Sequence, residues 1–298
     1  MTMADVAAHP IYGTLNDFAA DGRARTNGAV EIKVYGAGQL SGPGNALTAM
    51  QTGTIDLACH TTGFIQTLYP AVGVLDLPYI FPTARAPEDA LDGAVVQQLF
   101  DQFPAKGIYG LAWAHWGWRP VTHVSCAVTE PKDIAGSKIR IQPGAVYAAT
   151  YKTPGAAPAF IDLAEIYLAL SQRAVDALEV PLLSIVAGKF FEVAKNISLT
   201  NFSYNAGAIM MSRRNLDALP AECQTAIRAA ALATSPPWRR LMAVKTEEAV
   251  AFLKTKGCSV TLVNKPAYVE AFKPVFEQFR PVVGPELLDA ILKQTATT

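Results

Sequence analysis

The chain has no surplus of either charge: Lys and Arg together number 25, and so do Asp and Glu. A nucleic-acid binder gathers phosphates with a basic excess and a solvating tail needs an acidic one, so neither class is indicated. Long apolar runs are also missing. The longest stretch without a charged residue, 57–75, is interrupted by His60, Thr61, Thr62, Gln66 and Pro70, which is too polar for a membrane span. The first twenty residues show no basic start leading into an apolar stretch, because Asp5, His9 and Asp17 intervene. No secretion signal is therefore read in this chain; a periplasmic protein would be present in mature or trimmed form, and a cytoplasmic one would look the same.

Chemistry-bearing clusters are scarce as well. Cys59, Cys126, Cys223 and Cys258 lie far apart without a Cys-x-x-Cys pair, a spacing that suits neither zinc nor thiol redox work. Four small buried hydrophobes are expected, and one disulfide stays open because sequence cannot pair them. The four histidines, His9, His60, His115 and His123, show no ligand spacing, so no metal and no cofactor is expected. The run from Tyr35 to Gly42 resembles a dinucleotide loop, but its glycines fall one residue too far apart and Pro43 follows, so a turn is expected. Gly-x-Ser-x-Gly, Walker and His-Glu-x-x-His motifs are all absent. Glu247 and Glu248 read as a solvated helix face. Nothing here assembles a catalytic constellation.

What the chain does have is material for a core, with 51% hydrophobic and 17% charged residues over 298 positions. That length suggests two domains. Strand-like runs at 31–35, 55–59, 108–113, 138–142, 174–180 and 259–263 alternate with helical patterns at 11–26, 45–51, 87–102, 163–171, 220–233 and 238–256. Such alternation predicts an α/β fold. Two consecutive prolines, Pro236 and Pro237, predict a kink or break between the last two helices, since proline removes a backbone donor. An internal echo links residues 49–56 with 169–176: each is a helix end, a turn, and a strand that opens on an aliphatic residue and Asp. Two similarly built lobes would produce it, as would any helix-to-strand joint.

Between residues 131 and 181 the motifs become specific. Pro131-Lys-Asp-Ile-Ala-Gly-Ser-Lys-Ile-Arg140 ends a short strand on an arginine. Gly155-Ala-Ala-Pro158 follows, then Glu165-Ile-Tyr-Leu-Ala-Leu170 and Ala174-Val-Asp-Ala-Leu-Glu-Val-Pro181. Outside this block stand Val74-Leu-Asp-Leu-Pro-Tyr-Ile-Phe81, Gly117-Trp-Arg119, Lys189-Phe-Phe-Glu-Val193 and Leu199-Thr-Asn201. Their order and spacing resemble the solute-binding components of tripartite ATP-independent periplasmic (TRAP) transporters, in the branch named for C4-dicarboxylate binding.

The resemblance implies a two-lobed α/β fold of the type II periplasmic-binding-protein kind, with the ligand cleft between lobes. The lobes would comprise 1–118 plus 205–245 and 119–204 plus 246–298. It further implies a monomeric periplasmic protein, not an enzyme, that captures a small organic acid and delivers it to TRAP membrane permease subunits by hinge closure. A role in nucleic-acid binding or membrane insertion is not implied. An α/β enzyme or ligand sensor on the same lobes is the rival, and it would need a nucleophile–base pair or a signalling segment.

By the same resemblance Arg140 grips the ligand carboxylate, a contact suited to its planar fork; from the residues alone, an arginine in a strand is ordinarily a surface group. Arg119 reads either as a second cation of the cleft or as a cation stacked on Trp116 or Trp118. Trp118 is either an apolar wall of the cleft or hinge packing. Glu179 and Val180 stand where the family commonly shows Glu-Asn-Pro, so Val180 removes a polar partner. Leu163 replaces a common aromatic, Phe202 a common histidine, and Arg173 a usual glycine at a helix end. A less polar pocket follows, predicting a monocarboxylic 2-oxo or 2-hydroxy acid with an apolar or aromatic tail. A C4-dicarboxylate, with Arg119 taking the second carboxylate, is the alternative.

Overall fold

A computed structural model describes residues 1–296. Ten strands occur among the described residues: β1 (Thr2–Met3), β2 (Leu57–Thr61), β3 (Ile108–Trp118), β4 (Val121–His123), β5 (Lys138–Ile141), β6 (Ala157–Phe160), β7 (Ala177–Glu179), β8 (Asn196–Ser198), β9 (Tyr204–Ser212) and β10 (Ser259–Thr261). They form two sheets, ordered β1-β2-β9-β3 and β10-β8-β4-β7-β5-β6. Each sheet is the centre of one lobe.

The first sheet depends on β9, every residue of which is buried. Alternate side chains enter two different cores: Ala206, Ala208 and Met210 lie in one cluster, Ile209 and Met211 in the other. With both faces covered, β9 has no polar alternation, and sequence periodicity gave no strand there. The strand expected at 31–35 does not form; only Tyr35 bridges to Thr2.

Two helical expectations also change. Residues 86–106 break at the extended Gly93 into Ala86–Asp92, Ala94–Gln97 and a 3-10 segment, Gln98–Lys106. The predicted break at Pro236 and Pro237, by contrast, is not seen, and one helix runs through Ala221–Thr255. The two prolines face solvent, as do Leu232 and Ala233 four residues earlier. The carbonyls that lose their intrahelical donors are therefore open to water, while Thr234, Ser235 and Trp238 stay on the packed side.

The C-terminal boundary needs correction as well. In the helix Lys265–Val283, Tyr268 and Phe272 join the second lobe's cluster, but Val275, Phe279 and Val283 join Leu91, Val96 and Ile108 of the first. Leu288 and Ile291, on the helix Pro285–Ala296, follow them. So 246–298 is not all second lobe: from Val275 onward the described residues return to the first, because the apolar stripe of the helix continues past Phe272. Among the cysteines, Cys126 is exposed and the other three are buried, all of them unpaired.

The internal echo has a structural counterpart. At the first joint the amides of Thr54 and Ile55 both bond to the Ala49 carbonyl; at the second, those of Ala174 and Val175 both bond to that of Ala169. Gly53 turns the first joint at φ 79°, and Arg173 turns the second at φ 58°. An L-residue there is held in a conformation that costs about 1–2 kcal/mol, partly offset in glycine by greater unfolded-chain freedom. Arg173→Gly should therefore raise stability by about 0.5–1 kcal/mol in urea unfolding, whereas Arg173→Ala should not.

Candidate ligand-binding cleft

β5 sits between β6 and β7 inside the second sheet. Ile139 and Ile141 point into that lobe's core, so strand alternation sends Arg140 to the other face, toward the first lobe. Its guanidinium is almost fully buried, yet only Nε is engaged by the protein, donating to the Ile161 carbonyl at 2.8 Å. No carboxylate lies within ion-pair distance among the described residues. Burial, with the nearby Arg119 adding to it, lowers Arg140 to about 9. A buried cation left short of anionic company suits a carboxylate-bearing guest.

Arg119 behaves differently. Its fork is closed on Glu179: Nε meets one carboxylate oxygen, while Nη2 donates to the other at 2.7 Å and to the Glu179 carbonyl at 2.6 Å. Its other face lies 5.1 Å from the Tyr147 ring centre. Burial alone would lower Arg119, but Glu179 outweighs it and holds the charge firmly in place. Tyr147 passes the network on by donating to Asp76 at 2.7 Å, where Thr62 and Gln66 donate too. Arg119 thus reaches the cleft wall already neutralised, and Glu179, fully buried, faces Arg119 rather than the cavity.

Between the sheets lies an inner cavity of about 40 Å³ lined by Arg140, Arg119, Leu163 and Val180 together with Asp5, Trp116, Gln142, Ser184 and Asn205. Ala4, Asp5, Leu163 and Ser184 also line an outer chamber of about 240 Å³, whose remaining walls include Val6, Ala37, Tyr167, Ala187 and Phe190. The lobes meet across the inner cavity. Thr61 donates to Gln142 at 2.6 Å, and Phe64 meets Phe160 edge to face at 6.4 Å. Gly63 permits that approach, since a Cβ there would lie 2.5 Å from the Gln142 side chain.

Two of the expected wall residues are elsewhere. Trp118 lines a separate groove with Tyr79, Leu199 and Lys265, and packs edge to face on Tyr204. Strand alternation alone would put it beside Trp116, but β3 has an irregular register between His115 and Gly117, and Gly117 adopts φ 102°. That bulge re-aims Trp118 and leaves Trp116 in the cleft. Phe202 is buried among Tyr79, Tyr151 and Phe272 in the second lobe's core, because the chain turns at Asn201 with φ 43°.

Sequence reasoning missed Asp5, Thr61, Gln142, Ser184 and Asn205. A signal existed for Gln142, which lies two residues beyond Arg140 and one past the end of β5, where the strand alternation still points it the same way. For Asp5 there was none, because its place follows from β1 pairing with β2 more than fifty residues away.

Residues 2–281 match the family model DctP, bacterial extracellular solute-binding protein, family 7. The chain belongs to this family. A solute-binding protein of Verminephrobacter eiseniae is 32% identical over 93% of this chain and 83% of its own length. The sugar acid binding protein DctPAm of Advenella mimigardefordensis, crystallised with galactonate, is 25% identical and superimposes with a TM-score of 0.95 over 99% of this chain and 96% of that one. A TRAP periplasmic solute-binding protein of Bordetella bronchispeptica, with density interpreted as pantoate, is likewise 25% identical, with a TM-score of 0.94 over 99% and 98% of the two chains. The two-lobed fold of this DctP-family chain is that of the TRAP binding proteins, which are substrate-binding parts of transporters.

The network behind the cleft gives a pH prediction. Burial raises Asp76 to about 7, against the pull of its Thr62 and Tyr147 hydrogen bonds. A carboxyl group whose folded value exceeds its unfolded one contributes stability at low pH and loses it as pH rises through the folded value. Wild type should therefore lose stability relative to Asp76→Asn between pH 5 and pH 8, as measured by paired chemical denaturation curves.

Proposed function

We propose that this DctP-family protein captures a small organic acid in the periplasm and hands it to TRAP membrane permease subunits, catalysing no reaction. The observation that carries this is Arg140, a nearly fully buried guanidinium at the interlobe cavity with only its Nε engaged by the protein. A carboxylate meeting that fork with two parallel hydrogen bonds supplies the missing counter-charge. Lobe closure then excludes water and strengthens the contact.

The ligand is a monocarboxylic 2-oxo or 2-hydroxy acid with an apolar tail. The carboxylate and its neighbouring carbon occupy the inner cavity, and the tail lies in the outer chamber against Val6, Leu163, Tyr167 and Phe190. Burial of such a tail contributes roughly 25 cal/mol per Å². Pantoate, named for the Bordetella protein, is a 2-hydroxy acid with a branched aliphatic carbon. A C4-dicarboxylate is disfavoured because Arg119 is held by Glu179 and offers no free fork to a second carboxylate. A sugar acid is the second reading: Asp5, Ser184 and Asn205 add polar atoms to the inner cavity, and the Advenella protein holds galactonate.

Thermal shift and calorimetry with a branched 2-hydroxy acid, its 2-oxo counterpart, succinate and galactonate separate these readings. Binding by the branched acids alone supports the apolar tail; binding by galactonate or succinate alone rules it out. Arg140→Lys should weaken whichever acid binds by about ten- to hundredfold with an unchanged melting temperature, since a charge-assisted hydrogen bond contributes roughly 1.5–3 kcal/mol. Undiminished affinity in that variant would remove Arg140 from the site.

A further inference from the structure

Beside Arg140 the inner cavity holds a second ionisable side chain of the opposite kind. Asp5 is 5% exposed and lines both the inner cavity and the outer chamber. Its Oδ2 accepts from the Trp116 indole at 2.9 Å. Its Oδ1 accepts no hydrogen bond. The nearest cation-forming group is His9, whose Nε2 stands 3.9 Å away, beyond hydrogen-bond reach. His9 itself is fixed, since its Nδ1 accepts from the Ile11 amide and leaves the ring proton on Nε2, where it too has no partner. Asp5, with one carboxylate oxygen free of hydrogen bonds, therefore lines a cavity whose charged donor, Arg140, is reserved for an anion.

We propose that Asp5 is the specificity-determining residue of this cleft and selects a 2-hydroxy acid over a 2-oxo acid. The inference rests on the carboxylate reading of Arg140 and resolves the choice at the adjoining carbon. Once a carboxylate sits on Arg140, the inner cavity has room for little more than that carbon and its substituent. A hydroxyl donates its proton to Asp5 Oδ1. A keto oxygen brings only lone pairs to the same place, so two acceptors face each other, and Asp5 exchanges water for nothing. A bare methylene leaves Asp5 unpaired without that repulsion. The order of affinity is hydroxy, then unsubstituted, then oxo.

The Trp116 contact makes the test sharp. In Asp5→Asn the indole N–H still requires an acceptor, which draws the amide oxygen to Trp116 and leaves the amide NH2 at the position of Oδ1. The site thereby changes from acceptor to donor with little change of shape.

Calorimetry on wild type and Asp5→Asn, using three scaffolds each in matched forms at the 2-carbon, reads this directly. The scaffolds are 3-methylbutanoate with its 2-hydroxy and 2-oxo forms; succinate with malate and oxaloacetate; and gluconate with 2-ketogluconate. Wild type should prefer the hydroxy over the oxo form by about ten- to hundredfold, and Asp5→Asn should bring that ratio below one. The same ratio in both proteins, or a wild type that favours the oxo form, overturns the assignment. The wild-type ratio alone decides if the variant does not fold. Binding confined to the malate or gluconate series, with the hydroxy preference intact, overturns the apolar tail and leaves Asp5 in its role. No binding on any scaffold overturns both.

Discussion

When Arg119 closes its fork on Glu179, it removes one cation from the cleft and leaves another without a counter-ion. The pair is fully buried, so neither member can be left alone without an uncompensated charge in a poor solvent for ions. Around it the structure assembles a chain of contacts: Tyr147 against the guanidinium, Asp76 at the Tyr147 hydroxyl, then Thr62 and Gln66. Tyr147 belongs to the segment after β5, while Asp76, Thr62 and Gln66 belong to segments around β2. The same polar network that neutralises Arg119 therefore joins the two lobes behind the cavity.

Arg140 and Arg119 are close in space and chemically identical, yet they have opposite circumstances. One is matched by a carboxylate of the chain, and the other has a single backbone carbonyl. This asymmetry leaves the free cation at the inner end of the cleft, while the outer chamber sets Val6, Tyr167 and Phe190 beside Asp5 and Lys189. It also separates the two expectations for Arg119. The contact with an aromatic exists, but the aromatic is Tyr147 rather than Trp116 or Trp118.

Much of this was legible in the sequence, and the failures share a cause. Arg140 was singled out by the motif alone, since an arginine in a strand is ordinarily a surface group, and the structure places it at the inner cavity. Trp118 could not be placed, because alternation fails at the bulge around Gly117, and nothing in the residue order announces one. Phe202 was misplaced by the left-handed turn at Asn201, and β9 was invisible because burial on both faces erases its pattern. The proline pair was misread for a different reason. Ser235, Trp238 and Met242 continue a helical stripe straight through it, and that stripe was the stronger signal. That the last helices meet the first lobe's core from Val275 onward was not legible, because a helix boundary says nothing about which core its apolar face will meet.

Two long helices of the chain contain interior proline. Pro236 and Pro237 lie in Ala221–Thr255 beside Trp238, and Pro274 lies in Lys265–Val283 between Phe272 of one core and Val275 of the other. An α-helix resists bending through its unbroken ladder of hydrogen bonds, and each proline removes a rung. In Lys265–Val283 the missing rung therefore falls where the helix changes cores, whereas at Pro236 and Pro237 both flanks, Ala231 and Trp238, pack in a single cluster. A rod weakened at that place bends more easily than it stretches, so Lys265–Val283 tolerates a change of angle between its two halves while holding their spacing.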